Sequence, residues 1–331
     1  MNNKPNIAFV TGGYSSEAVI SYKSAVTIEK HIDKEAYQVY RIDITPEGWF
    51  SMQGDNKIPV NRNDFSLELN GQKILFDAVL IGIHGTPGED GRLQGYFDLL
   101  NIPYTSCDAA TSALTFNKRY TVAVAAFSGI SVARSLHLFK GMPVSADEIC
   151  RELSLPVFVK PNNGGSSIGM SKVSQKDQPE AAVEKAFRED DQILIEEFIS
   201  GREFTVGVFS SKNEITVLPI TEVETDKEFF DFEAKYSGQS KETTPADIPA
   251  DIAQKIQEEA RKVYQVFNCR GVVRIDFIFN AEKAKPYMLE INTIPGQSEA
   301  SIVPQQVRAM GWNLTGLYSA LIEDALARRK S

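Results

Sequence analysis

Apolar residues fall along this chain in short runs that end in glycine-rich loops. Ile7-Ala8-Phe9-Val10 stops at Thr11-Gly12-Gly13, and AVLIGIHG (Ala78–Gly85) runs into a second such loop. Short apolar runs bounded by turn residues predict buried strands. Between them the pattern predicts a helix from about Glu17 to His31, capped by Ser15 or Ser16. Asp90 is placed to cap a further helix over GRLQGYFDLL. Strand and helix alternating in this way predict a parallel α/β unit over the first ~110 residues.

Downstream, AATSALTFNKRYTVAVAAFSG reads as one helix ended by Gly129. Leu155–Pro161 reads as a strand, and KPNNGGSSIGM (Lys160–Met170) continues from it as a glycine–serine loop that returns in the strand MSKV. Pro179 opens a helix to about Arg188, followed by the strands QILIEEFI and EFTVGVF. Glu224–Pro249 has no stable period and many polar residues. A loop that long is functional or disordered. A helix from about Asp251 to Phe267, the strands GVVRIDFIF and YMLEIN, and a last helix complete the chain. There is no internal repeat or low-complexity linker, so closely packed domains with soft boundaries are expected.

Strand side chains alternate between faces. In GVVRIDFIF, Val273, Ile275, Phe277 and Phe279 share one face, and Arg274 and Asp276 share the other. In YMLEIN, Leu289 and Ile291 take the apolar face, and Glu290 and Asn292 the polar one. A hairpin centred near Lys283 sets Asp276 opposite Glu290. Two carboxylates, an amide and an arginine suit a Mg²⁺–phosphate site, because magnesium takes one or two carboxylates plus substrate phosphates. A solvent-exposed polar strand face is the alternative. NTIPG follows at once, either a turn presenting N–H groups to an oxyanion or a turn and nothing more. The glycines and serines after Lys160 offer N–H and hydroxyl donors to phosphates. The loop is not G-x-x-x-x-G-K-[ST] and no helix clearly follows, so a phosphate lid and a mobile surface hairpin both fit.

Bulk composition narrows the class. At 331 residues, two or three domains are expected. Lys and Arg number 35 against 44 Asp and Glu, a net charge of −9, which argues against nucleic-acid partners. A few lysines in a cleft still suffice for an anionic ligand. Cys107, Cys150 and Cys269 are scattered and odd in number, as in a reducing cytosol without disulfides. Three scattered histidines argue against a His-rich metal site. The N-terminal apolar run reads as a strand rather than a signal peptide, and no run is long enough to span a bilayer. A cytoplasmic protein without membrane partners is the expectation.

Taken in order, KPNNGGSSIGM, ILIEEFISGREF, RID and LEIN resemble the ATP-grasp superfamily. Five further elements make the chain similar over nearly its whole length to the D-alanine–D-alanine ligase family. They are GGYSSE (Gly12–Glu17), HGTPGEDGRLQGYFDLLNIPYT (His84–Thr105), FNKRYT (Phe116–Thr121), FDFEAKY (Phe230–Tyr236) and LEINTIPGQSEASIVP (Leu289–Pro304). The resemblance implies a three-domain α/β ATP-grasp architecture: an N-terminal substrate domain over 1–112, a lid domain over 113–205, and a C-terminal domain with the metal and catalytic residues over 206–331. It implies ATP-dependent joining of two D-alanines through an acyl phosphate, for peptidoglycan precursors, by a homodimer.

The resemblance also implies roles. Glu17 would hold the ammonium of the first D-alanine, with His84 beside it. Lys118, Lys160 and Ser167 would bind ATP phosphates, and Lys235 would reach the γ-phosphate. Glu196, Glu197, Phe198 and Ile199 would meet the adenine edge, and Glu203 the ribose. Ser166 and Tyr236 would latch the long loop to Glu17. Asp276, Glu290 and Asn292 would hold two Mg²⁺, with Mn²⁺ as a substitute. Arg274 and the Gly296 N–H would stabilise the oxyanion, and Ser301 with Ile302 would take the second substrate. The long polar loop then has a purpose, since an acyl phosphate must be closed off from water.

Some positions depart from the family pattern. Ala18-Val19-Ile20-Ser21 stands where R-E-V-S is usual, Phe230 and Phe232 stand where tyrosines are frequent, and Phe198 stands where a tryptophan can flank adenine. D-lactate and D-serine ligases are the rivals within the class; Tyr236 argues against the first more than the second. A dinucleotide oxidoreductase would need G-x-G-x-x-G, and only a Gly-Gly pair is present. A non-catalytic nucleotide-binding regulator would be expected to have lost metal ligands.

Overall fold

The computed structural model describes residues 4–53, 56–142, 145–165, 168–176, 178–225 and 240–328. Its first large sheet has the parallel strand Asn6–Gly12 between Gln38–Thr45 and Ala78–Ile81, with Gly48–Gln53 and Asn56–Pro59 added antiparallel at one edge. The central strand is covered on both faces, which is why its sequence is continuously apolar. Ile7 and Phe9 pack with Ala25 and Ile28 of the helix Ala18–His31 and with Leu317 and Leu321 of the helix Leu314–Arg328. Ala8 and Val10 pack on the other side with Phe65 and Phe97. The C-terminal helix therefore closes the core of the N-terminal sheet.

The second sheet is antiparallel, in the order Ser171–Val173, Val157–Pro161, Gln192–Glu197, Ser135–Phe139. Val157, Val159, Ile193 and Ile195 face Ile149, Ala182 and Val183 of the helices Ala146–Glu152 and Pro179–Ala186. By alternation, Phe158, Lys160 and Glu196 are turned to the opposite face.

The third sheet runs Ser240–Thr243, Thr221–Thr225, Arg202–Ser211, Val272–Asn280, Lys285–Asn292, all antiparallel, with Glu214–Val217 paired beside Arg202–Ser211. Phe204, Val206, Val208, Val273, Ile275 and Phe277 bury against Ile256, Ala260 and Val263 of the helix Ala250–Val266. The same alternation turns Glu203, Thr205, Arg274 and Asp276 to the other face, where the second sheet presents Lys160 and Glu196.

Several local expectations give way to the tertiary structure. The segment 109–129 is two helices, Ala109–Phe116 and Lys118–Phe127, because Asn117 is extended and its side chain accepts from Tyr120 N at 3.1 Å. A side-chain acceptor that caps a new helix ends the old one. The C-terminus likewise holds two helices, Ile302–Ala309 and Leu314–Arg328. The Ala18–His31 helix has Glu17 at its N-cap, not a serine, although Ser15 Oγ accepts from Glu17 N at 3.3 Å. Gly91, at φ +83°, caps Arg92–Leu99, while Asp90 Oδ1 accepts from Arg92 N. The segment 224–249 is not all loop, since Ser240–Thr243 pairs with Thr221–Thr225. The edge hairpins of the first sheet were not legible in the sequence.

Candidate functional site

The acid hairpin has the expected register, with Asp276 paired to Glu290 and Arg274 to Asn292. One side chain departs from strict alternation. Phe277 pairs with Met288, so Leu289 is the extra residue of a β-bulge. Met288 takes the core position, and Leu289 leaves the apolar face and lines a cavity beside Glu290. Arg274 grips Asp276 with both arms of its fork, Nε to Oδ1 at 2.9 Å and Nη2 to Oδ2 at 2.8 Å, and lies 3.9 Å from Glu290 Oε1. Asn292 Nδ2 is 3.3 Å from Asp276 Oδ2 and 3.5 Å from Glu290 Oε1. Thr205, cross-strand from Asp276, donates a short hydrogen bond to its Oδ1.

Two cavities meet at this hairpin. The larger, about 760 Å³, is lined by Lys160, Glu196, Glu197, Phe198, Ile199, Glu203 and Leu289. The smaller, about 350 Å³, is lined by Glu17, His84, Arg274, Asn292, Gly296, Ser301 and Ile302. Lys118, Gly165, Glu203, Asp276 and Glu290 line both. The third sheet's polar face is thus the shared wall.

In the larger cavity Lys160 Nζ pairs with Glu196 Oε2 at 2.5 Å, both side chains well buried. Glu197 Oε1 accepts from Arg134 N at 2.9 Å. The Phe198 ring lies 6.1 Å from that of Phe158, with Lys172 over it at 5.4 Å. Ile199 is buried against Tyr287 and Ala133. An acidic hydrogen-bonding edge beside aromatic faces suits a nucleobase. Lys118 Nζ donates to Gly164 O at 2.7 Å, so the helix lysine and the glycine loop are tied together.

In the smaller cavity the Glu17 carboxylate lies between two loops. A Cβ on Gly85 would fall 2.6 Å from Glu17 Oε2, and one on Gly165 would fall 2.9 Å from Oε1. The glycine loop after Lys160 and the one after Ala78–Ile81 therefore both close on this acid, and Gly85, at φ +66°, holds a backbone conformation that favours glycine. Ser298 and Ser301 share a hydrogen bond at 2.7 Å. Ser301 is the N-cap of the helix Ile302–Ala309, and a helix N-terminus favours an anion.

His84 is buried at 7% exposure, with Nε2 3.0 Å from Ser24 Oγ and a further hydrogen bond to the Ile294 backbone. Burial pushes its pKa down to about 4. The neutral ring accepts the Ser24 hydroxyl proton at Nε2, and Ser24 Oγ accepts from Gln297 N at 3.0 Å. Glu89 is pushed up to about 8 by burial and by the nearby Glu17 charge. Glu89, Thr205 and Ser24 were not picked out from the sequence. Alternation from Glu203 could have placed Thr205 on the right face, but only strand register shows its partner.

Ser166, Ser167, Lys235 and Tyr236 lie outside the described residues, as do Phe230 and Phe232. The fit to a divalent cation rests on the donor set. Carboxylates and an amide are hard oxygen ligands, and they adjoin a cavity large enough for a nucleotide. Among the described residues no group of three or more His, Cys, Asp or Glu is placed to hold a metal ion by itself. An all-protein cage is therefore not what the described site offers, and magnesium completed by phosphate oxygens fits it.

A mixed α/β chain with an antiparallel sheet facing an acid-bearing sheet, and a nucleotide-sized cavity between, defines the ATP-grasp class of ligases. Residues 6–107 match the family described as D-ala D-ala ligase N-terminus, and residues 118–323 match D-ala D-ala ligase C-terminus. The D-alanine–D-alanine ligase of Flavobacterium johnsoniae is 47% identical over 97% of this chain and 99% of its own length. That of Parabacteroides distasonis is 45% identical over 99% of both. Among solved structures, the VanG D-Ala:D-Ser ligase from Enterococcus faecalis superposes with a TM-score of 0.87 at 31% identity, covering 97% of this chain and 99% of that one. A Bacillus anthracis D-alanine–D-alanine ligase complexed with ATP gives 0.78 at 27% identity, covering 98% and 99%. The chain belongs to the D-alanine–D-alanine ligase family.

Proposed function

We infer that this chain joins two D-alanine molecules into D-alanyl-D-alanine at the expense of ATP, for peptidoglycan precursor synthesis. The observation that carries the reading is the junction of the two cavities on the Asp276–Glu290 wall. One cavity suits a nucleotide, the other a small zwitterion, and the reacting groups would meet between them.

A carboxylate is a poor acyl donor, so the first D-alanine must be activated as an acyl phosphate. Glu17 would hold its ammonium and so aim its carboxylate at the γ-phosphate. Lys118 and Lys160 would bind the phosphates, with Ser167 and Lys235 completing their grip. Glu196, Glu197, Phe198 and Ile199 would seat the adenine, and Glu203 the ribose. Asp276, Glu290 and Asn292 would hold Mg²⁺, two ions or Mn²⁺ in their place, which when bound neutralises phosphate charge. Ser301 and Ile302, at a helix N-terminus, would take the second D-alanine's carboxylate. Its amine attacks the acyl carbon, phosphate leaves, and the Gly296 N–H and Arg274 would stabilise the tetrahedral oxyanion. Ser166 and Tyr236 would latch the loop over Glu17. His84 would border the first substrate as a neutral group.

We propose the same three domains, 1–112, 113–205 and 206–331, a homodimer, and a cytoplasmic location, where the precursor would be made. Among the described residues no helix is long and apolar enough to cross a membrane. The test is phosphate release from Mg-ATP with D-alanine, L-alanine, or D-alanine paired with D-serine or D-lactate, with products weighed by mass spectrometry. Turnover with D-alanine alone, yielding the dipeptide, supports the reading. Turnover only with a mixed pair moves the second substrate, and none with any of them removes the activity.

A further inference from the structure

The turn Thr293–Gln297, which carries Gly296, follows the metal-bearing strand directly, yet much of its fixing comes from the N-terminal part of the chain. Glu89 reaches it across 205 residues of sequence: its Oε1 accepts from Ile294 N at 3.3 Å, and its Oε2 accepts from Gly85 N at 2.7 Å. One carboxyl group thereby ties the loop that closes on Glu17 to the turn that carries Gly296. A second tie runs through Ser24, whose Oγ accepts from Gln297 N at 3.0 Å and contacts His84 Nε2 at 3.0 Å. Tyr318 adds a hydroxyl to Gln297 Oε1 at 3.2 Å from the C-terminal helix. Among the described residues the Gly296 N–H itself donates to none, and Gly296 lines the smaller cavity.

We propose that Glu89 is a positioning residue for the ligation step: it sets the Gly296 N–H at a fixed distance from the ammonium-binding Glu17. This rests on the function proposed above. A hydrogen-bond donor serves a developing oxyanion only if it is already in place, and a misplacement of about 1 Å can cost roughly 100-fold in rate. The two contacts suit a carboxyl group. Two N–H donors from two segments converge on one side chain, and each carboxyl oxygen keeps a lone pair for one of them, the hydroxyl oxygen of the neutral form included. Glutamine has one acceptor oxygen, and its NH₂ would face the other N–H donor to donor. Aspartate is one methylene short of spanning the two segments. Glu89 need not touch either substrate to have this effect.

The test is Glu89→Gln, measured as kcat, the KM for ATP, and hydrogen exchange of the Ile294–Gln297 amides without substrates. The expected result is a fall in kcat of roughly 10- to 100-fold, an ATP KM within about twofold, and exchange of the turn faster by about tenfold or more. Unchanged exchange, or kcat within about twofold of the parent, overturns the proposal. Loss of ATP affinity in step with kcat also overturns it, because that is general damage. If Glu89→Gln does not fold, Ser24→Ala frees the Gln297 N–H of the same turn and leaves Glu89 in place. The same split of kcat against ATP KM is expected there, and an unchanged kcat rejects the clamp. A parent protein that makes no dipeptide from D-alanine removes the proposed function and this inference with it.

Discussion

Asp276 pairs with Glu290 across the hairpin, and the next pair along skips Leu289 so that Phe277 meets Met288. The bulge lets one strand keep its core residues while its acid stays opposite the neighbouring acid. It also brings Leu289 into the larger cavity, beside the acids.

Glu290→Gln is expected to abolish ligation. It keeps the size and removes one of the two carboxylates proposed to hold metal. Loss of residues that merely support metal ligands costs roughly 10- to 100-fold, so the fall in kcat should exceed that. Undiminished turnover in a folded variant, checked by circular dichroism, would remove the metal assignment.

Thr205→Val should act through Asp276. The threonine hydroxyl is buried and donates to Asp276 Oδ1. Without it the carboxylate relies on Arg274 and Asn292 alone. A loss of about 1–2 kcal/mol in denaturant unfolding is expected, with roughly tenfold weaker Mg²⁺ activation. Thr205→Ser, which restores the hydroxyl, should recover most of both.

Gly85→Ala places a methyl 2.6 Å from Glu17 Oε2 at φ +66°. Gly71, at φ +75° with nothing within 4 Å of its Cβ position, is the control. Both alanines should lower stability by about 1–2 kcal/mol through the left-handed backbone alone. Only Gly85→Ala should raise the KM for the first D-alanine. Equal KM values in the two variants would separate Glu17 from that substrate.

His84 makes stability depend on pH with a definite sign. Its folded pKa is lowered from 6.5 to about 4. The neutral form is the one the fold accepts, so the stability it contributes is complete above about pH 6.5. It is lost as pH falls toward about 4, where the unfolded chain binds a proton and the folded chain does not. Glu89, raised from 4.5 to about 8, has the opposite sign: its contribution is complete below about 4.5 and lost as pH rises through about 8. Thermal melts of the parent against His84→Gln should diverge in their pH slope between about 4 and 6.5. Parallel slopes would mean that His84 is not held neutral.

Chelation should stop turnover with ATP and leave the fold intact, because the acid hairpin is paired by Arg274 without a metal. Phosphate release should vanish in EDTA and return with Mg²⁺ or Mn²⁺. Activity that persists in excess chelator would contradict the assignment of Asp276, Glu290 and Asn292.

What the sequence determined was local. Alternation along GVVRIDFIF placed Arg274 and Asp276 on one face, because the strand period is two, whereas the pairing of Asp276 with Glu290 is reached only through the bulge at Leu289. The glycine loops were legible as loops, and the one after Lys160 as a source of N–H donors for phosphates. Their object was not: Gly85 and Gly165 lie 80 residues apart and meet on Glu17 only once two sheets are packed. The helix break at Asn117 and the bulge at Leu289 escaped the pattern because each trades a regular local choice for a distant contact. Glu89, Thr205 and Ser24 show the same limit. A carboxylate in a loop, a threonine in a strand and a serine in a helix are unremarkable alone. Burial and the partners that packing brings to them, Ile294, Asp276 and Gln297, decide what each can do.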